Sequence, residues 1–244
     1  MRRDTTGLSG PELGKAALAI SCMLSAPHPD ESTAAGLLQQ LISCAAFRSG
    51  IEGILTDAEE IRRVASSSQN HPNEFRKIPL LVGVNSEKLT LHRWCTPQEK
   101  SKPDPHNHRW NFSSVVLAGA IESQVFTVDK MVGDDTHTEF EYASSGGSQF
   151  YKLSKLGNVH LRPHSKSSYE AVTSYSQLGC DVHDARAVRT GTVSLVLRGS
   201  PIAKRCRVYR QENALESDES AVDRPSAEVV KSDLEYLHHL LGSL

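Results

Sequence analysis

No stretch of this 244-residue chain comes near the roughly 20 consecutive apolar residues that a membrane-spanning helix needs, so a helical span is excluded. Neither charge is in surplus: 27 Lys and Arg stand against 29 Asp and Glu, a formal net charge of −2. Such a balance carries no electrostatic signature of nucleic acid or of an anionic membrane as partner. Cysteine is scarce and scattered. The five, Cys22, Cys44, Cys95, Cys180 and Cys206, are odd in number and include no C-x-x-C pair. They offer neither a disulfide framework nor a zinc-finger site, and they fit a reducing cytosol. Glu12, Gly14 and Lys15 interrupt the lead-in to the apolar patch Ala16 to Leu24, which argues against a secretory signal and for a cytoplasmic location. There is no internal repeat. The length suits one large domain, or a small one with an extension, and is enough to bury an ordinary core.

The N-terminal third reads as helix. Ser9-Gly10-Pro11-Glu12 is a start signal, followed by Leu13, Ala17, Ile20 and Leu24 at helical spacing. A second helix is expected from about Ser32 to Phe47, with Leu37, Leu38, Leu41, Ile42 and Ala45 on one face. Thr56-Asp57-Ala58-Glu59 reads as a capping box opening a third helix through Ile61, Val64 and Ala65. From residue 75 the period changes to that of strands. Candidate strands run from Phe75 to Gly83, Lys88 to Cys95, Ala120 to Val128 and Thr138 to Tyr142. More follow at Gln149 to Leu153, Asn158 to Leu161, Tyr169 to Val172, Gly191 to Arg198 and Arg205 to Tyr209. Many short strands separated by Gly, Asp, Asn and Ser predict a sandwich or barrel. Residues 211–226 are acidic and serine-rich and read as a mobile linker. A last helix, about Ser226 to Leu241, carries Val229, Leu234, Leu237, Leu240 and Leu241, to dock back on the domain or on a partner subunit, so a homodimer is open. The expected organisation is a helical extension over 1–74, a barrel over 75–210, and a linker with a helix over 211–244.

The densest chemistry lies in Asp104-Pro105-His106-Asn107-His108, which leads into a β-branched and aromatic run, Gly119, and a second such run. Residues i and i+2 of a strand share a face, so His106 and His108 present both imidazoles to one side, close enough to grip one metal ion. Imidazole suits iron, zinc, copper and nickel alike. A third ligand is expected from His92, His137, His160, His164 or His183. His183 fits best, because it follows Gly179-Cys-Asp-Val and precedes a turn and an apolar strand. His160 lies in an alternating stretch and His164 follows a proline; they are the rivals. His238 and His239 are adjacent on a helix, about 100° apart, and make poor co-ligands. Cys95 and Cys180 near the site are expected to be buried and inert.

Together these residues resemble the two motifs of the cupin superfamily: an HxH strand, a hairpin glycine, and a lone histidine after a distant glycine. Gly179-x-x-x-His183 looks like the end of the second motif, without the proline that usually precedes its glycine. The resemblance covers roughly residues 75–210 and implies a double-stranded β-helix, or jelly roll, with the metal inside the barrel. Where the first motif usually carries a glutamate, four or five residues after its second histidine, this chain has Phe112 and Ser113. Glu122, beyond the turn, does not fill that position. A three-histidine site without glutamate is similar to the thiol dioxygenases, which hold ferrous iron and also have helices before the barrel. Their Ser-His-Tyr element has no counterpart here.

The function expected from this reading is a non-heme Fe(II)-dependent oxygenase. It would use dioxygen and a small, carboxylate-bearing metabolite; other divalent metals stay open. A metal-dependent isomerase, lyase or decarboxylase is the first alternative and a noncatalytic small-molecule-binding cupin the second. Arginine in an apolar strand is costly unless paired. Arg198 and, second to it, Arg93 are therefore the candidates to hold the substrate carboxylate. Trp110, two residues past His108, is a candidate pocket wall or core side chain.

Overall fold

The structure, a computed structural model, describes residues 31–83, 86–94, 103–130, 137–145, 150–211 and 217–243. The helix expected over Leu13 to Leu24, and Cys22 and Cys95, lie outside the described residues. Three helices come first: α1 (Glu31–Ile42), α2 (Ala45–Thr56) and α3 (Ala58–Ser67). The single helix expected up to Phe47 is two, because Cys44 takes an extended conformation (φ −77°, ψ 130°) and redirects the chain. That break lets Phe47, Ile51 and Ile54, at helical spacing, form a buried stripe of their own. The cap of α3 is Asp57 and not Thr56. The Asp57 carboxylate accepts the N–H groups of Glu59 and Glu60 at 2.8 and 3.2 Å, whereas the Thr56 hydroxyl bonds back to the Gly53 carbonyl at 3.1 Å. An anion at a helix N-terminus gains from the helix dipole as well as from the hydrogen bonds.

The strands are β1 (Gln69–His71), β2 (Phe75–Val82), β3 (Lys88–Trp94), β4 (Phe112–Ala118), β5 (Ala120–Asp129) and β6 (His137–Ser145). They continue with β7 (Phe150–Glu170), β8 (Ser174–Gln177), β9 (Val182–Ala187), β10 (Val193–Arg198), β11 (Cys206–Gln211) and β12 (Ser217–Ala221), and α4 (Ala227–Leu241) ends the series. They form two antiparallel sheets, β1-β2-β3-β10-β4-β8 and β11-β6-β7-β5-β9, with β12 added to β7. This is a jelly-roll architecture. The three strands expected between Gln149 and Val172 are one strand of 21 residues, β7. Its pairing to β5 shifts between Ser165 and Pro163, so His164 is the unpaired extra residue of a bulge that bends the strand. Part of the expected linker is also strand: Ser217–Ala221 pairs with Phe150–Leu153.

Gly119 joins β4 to β5 but makes no hairpin, because the two strands belong to different sheets. It sits at φ +76°, and a Cβ there would lie 2.2 Å from the Thr192 hydroxyl and 2.7 Å from the Thr192 Cα. Only glycine passes that corner.

One face of the first sheet is covered by helices. Ile78, Leu80, Leu89, Leu91, Val115, Leu117, Val193, Leu195 and Leu197 share a buried core with Leu38, Phe47, Ile51, Ile54, Val64, Val230, Leu234 and Leu237. The last helix thus docks back onto its own domain, with Ser226 as its cap. Because strand residues alternate, the other face of this sheet, bearing Phe75, His92, Trp94, Phe112 and Val116, looks into the barrel. Among the described residues, no helix is long and apolar enough to cross a membrane.

Candidate metal centre

His106 and His108 do not lie in a long strand. They belong to a short extended segment, Pro105 to His108, before β4. His106 exchanges both backbone hydrogen bonds with His183 of β9, each at 2.9 Å, and bridges Val208 of β11 on its other side. Asn107 donates to the Arg207 carbonyl at 3.1 Å, and Tyr209 donates to the Pro105 carbonyl at 2.8 Å. Since β9 and β11 are the two ends of the second sheet, this segment closes it. The requirement that backbone groups be paired therefore places the HxH residues beside His183. Arg210 adds an ion pair to Asp104 at 3.0 Å.

The three imidazoles converge. One nitrogen from each of His106, His108 and His183 lies within 4.8 Å of the other two. Nε2 of His108 and Nε2 of His183 are 3.0 Å apart. Two nitrogens each about 2.1 Å from one ion and at right angles around it would be separated by about 3.0 Å, so the spacing suits a shared metal.

Hydrogen bonding also fixes which nitrogen is free. His106 Nδ1 is 2.9 Å from the Asp104 carbonyl, which can only accept, so Nδ1 carries the proton and Nε2 its lone pair. Ser123 spends its hydroxyl proton on the Asp184 carbonyl at 2.9 Å, and its oxygen is then left to accept from His183 Nδ1 at 3.4 Å. That again leaves Nε2 free. Histidine ligands are oriented in this way by the partner of the other ring nitrogen.

Burial keeps these rings neutral. It lowers His183 to about 3, helped by the repulsion a protonated His106 would exert, and His106 to about 4, against the raising effect of its Asp104 hydrogen bond. His108 is held well below the ordinary value by burial and then by its neighbours His106 and His183. Neutral imidazole is the form that binds metal.

Among the described residues, no carboxylate belongs to this group. Phe112 fills the space instead, edge-on to His108 with ring centres 5.3 Å apart and tilted on His183 at 5.9 Å. Ser113 points the other way, to Ser176 at 2.6 Å. Glu122 is engaged by Arg186 at 2.6 Å and Lys166 at 3.0 Å. The rivals of His183 lie elsewhere: His160 alternates with the buried Val159 and Leu161, and His164 is exposed on its bulge.

The two arginines part company. Arg93 shares its face of β3 with Leu89 and Leu91, so it faces the helices, 3.6 Å from Asp233 and 4.3 Å from the ring of Tyr236 on α4. It is a structural ion-pair residue and no part of the pocket. Arg198 faces the other way, with its guanidinium carbon 3.8 Å from the ring centre of Trp110. Trp110 in turn stacks on His108 at 6.0 Å. Cys180 is exposed, contrary to expectation.

The sequence analysis singles out neither His71 nor Lys77, while His92, one of its candidates for the third ligand, lies near the site without joining the cluster. His71 stacks on Phe75 at 4.5 Å and lies 6.3 Å from His106, and His92 is 4.7 Å from Phe75. Lys77 follows Phe75 on the same face. Alternation could have found it, since it shares its parity with Phe75, but Arg76 beside it offered an equal claim.

No protein-family model matches the chain, and no curated protein matches it in sequence. Several solved structures are similar in part. A hydroquinone 1,2-dioxygenase crystallised with Cd2+ and 4-hydroxybenzonitrile matches at 14% identity and a TM-score of 0.33, over 57% of this chain and 69% of that one. The hydroxypropylphosphonic acid epoxidase of S. wedmorenis matches at 13% identity and a TM-score of 0.35, over 82% of this chain and 100% of that one. An Fe(II)-bound Streptomyces albus HEPD matches at 10% identity and a TM-score of 0.32, over 82% of this chain and 43% of that one. The fold is read from the strand order, not from these likenesses.

Proposed function

We propose that this chain is a non-heme Fe(II)-dependent oxygenase acting on a small metabolite that bears a carboxylate or a similar anionic group. The carrying observation is the convergence of His106, His108 and His183 inside a jelly roll with no carboxylate among them. These three histidines would hold ferrous iron, which when bound would supply open coordination positions for substrate and dioxygen. Three neutral ligands leave the metal charge uncompensated, which favours an anionic substrate over a neutral one.

The chain's own residues do the rest. Asp104 and Ser123 orient the imidazoles of His106 and His183, and Phe112 keeps water from the side where a carboxylate ligand would otherwise lie. Arg198, aligned on Trp110, offers a planar fork for the substrate's oxygens. Its Nη2 donates to the Ser86 carbonyl at 3.1 Å, and its buried Nε has no partner among the described residues.

The test is iron content and oxygen consumption on the same preparations. Fe(II) should bind one to one and be lost in His106→Ala and His183→Ala. Turnover of the substrate should consume oxygen. A reaction that ran at full rate without oxygen would replace this reading with the isomerase or lyase one.

A further inference from the structure

We propose that the barrel beside the three histidines is a site for a doubly charged oxyanion, gripped by Lys77 and Arg198 together, so that the head group bound there carries two negative charges and not one. The proposal rests on the oxygenase reading only for what the head group is attached to.

The placement comes first. Lys77 shares the inner face of β2 with Phe75, and its ammonium nitrogen is 5.5 Å from that ring centre. Its charge acts to lower His71, His92, His106 and His108, and the charges of Arg198 and Lys88 act on it in turn. Arg198 stands over Trp110 at 3.8 Å, and Arg109 over the same ring at 5.2 Å. Lys77 of β2 and Arg198 of β10 therefore both rise from the inner face of the first sheet, the face that also bears His92 and Phe112.

The charge balance comes second. Among the described residues, the other neighbouring arginines meet carboxylates: Arg76 and Arg93 meet Asp233, Arg205 and Arg207 meet Glu141, and Arg186 meets Glu122. Among the described residues, no carboxylate pairs with Lys77, Lys88, Arg109 or Arg198. The buried Nε atoms of both Arg109 and Arg198 also lack a hydrogen-bond partner. Like charges gathered in a low-dielectric interior are unfavourable unless an anion joins them. Burial together with the neighbouring cations lowers Lys77 to about 8 and Arg198 to about 10, as expected of charges awaiting a counter-ion. Of Lys77 and Arg198, the two proposed to grip the head group, a single carboxylate would leave one unmatched. A head group with two charges, of the kind phosphate presents, matches both the point charge of Lys77 and the fork of Arg198.

The test uses full-length protein stripped of metal, titrated calorimetrically at pH 7.5 with inorganic phosphate and, separately, with acetate. Phosphate should bind one to one and at least tenfold tighter than acetate. Lys77→Gln and Arg198→Gln should each weaken phosphate at least tenfold, Lys77→Arg should restore most of the loss, and Lys204→Gln, at an exposed lysine, should change nothing. Thermal melts identify a variant that fails to fold, in which case the other variant decides. Equal binding of acetate and phosphate, or phosphate binding indifferent to both glutamine variants, would overturn the proposal. The two readings fail separately. Loss of iron binding with phosphate binding intact removes the oxygenase and leaves the anion site, and the reverse pattern removes the anion site alone.

Discussion

Replacing Gly179 by alanine should damage the metal centre without touching any histidine. The glycine lies against the backbone of the HxH segment: a Cβ there would be 2.6 Å from the Trp110 carbonyl oxygen, 2.8 Å from its carbon and 3.1 Å from the His108 carbonyl oxygen. All three are backbone atoms, so none can rotate away. Ordinary contact begins near 3.4 Å, which demands a retreat of about 0.8 Å. The same segment is pinned by His108 N donating to the Gly179 carbonyl at 2.8 Å and by Gly179 N donating to Asn111 Oδ1 at 2.7 Å. A retreat of that size weakens or breaks these bonds. Overpacking costs roughly 1–3 kcal/mol, and each hydrogen bond about 1 kcal/mol, so Gly179→Ala should destabilise by about 2–4 kcal/mol. Binding geometries tolerate displacements of only about 0.5 Å, so metal affinity should fall by about 10–100-fold, as when a ligand's supporting partner is removed. Gly53 is the control. It is exposed on α2 with open space around its Cβ position, and Gly53→Ala should stabilise by roughly 0.5–1 kcal/mol. Urea unfolding of the metal-free protein and Fe(II) titration under argon measure both quantities. If Gly179→Ala kept the stability and the iron affinity of the parent, Gly179 does not hold the histidine segment in place.

Three further outcomes are expected. Asp233→Ala removes the carboxylate that accepts from Arg76 at 2.5 and 2.7 Å and faces Arg93 at 3.6 Å; it should cost about 3–5 kcal/mol in denaturant unfolding and leave iron stoichiometry unchanged. The metal-free protein should lose stability as pH falls from about 6.5 towards 4, because the unfolded chain then binds protons that His106 (about 4) and His183 (about 3) refuse when folded. The slope approaches about 1.4 kcal/mol per pH unit per imidazole, and a flat profile in acid titrations followed by circular dichroism would contradict the burial argument. Finally, His183→Ala should empty the iron site while His160→Ala fills it normally in metal analysis, and the opposite result would exchange their roles.

Some of this molecule is determined locally and is legible in the chain. The i, i+2 spacing of His106 and His108 puts both rings on one side whatever else folds, and the stripes Ile61-Val64-Ala65 and Leu234-Leu237 declare helices through their period. Alternation along Thr192, Ser194, Val196 and Arg198 likewise keeps Arg198 off the face that Val193, Leu195 and Leu197 bury under the helices. Other features were decided by partners distant in sequence. Arg93 is the second candidate to Arg198 for a pocket, yet Asp233, from a helix that begins more than a hundred residues later, pairs with it on the other face. Lys77 and Arg76 are adjacent charges, and only the closing of the barrel decides that Lys77 faces the imidazoles while Arg76 pairs with α4. The length of β7 could not be read past Gly157 and Pro163, because the strand is sustained by pairing with β5 and β6 and not by its own composition. The grouping of His183, and not His160, with His106 and His108 likewise depends on tertiary pairing: a strand's period says which residues share a face, and only the sheet opposite says which face is inside.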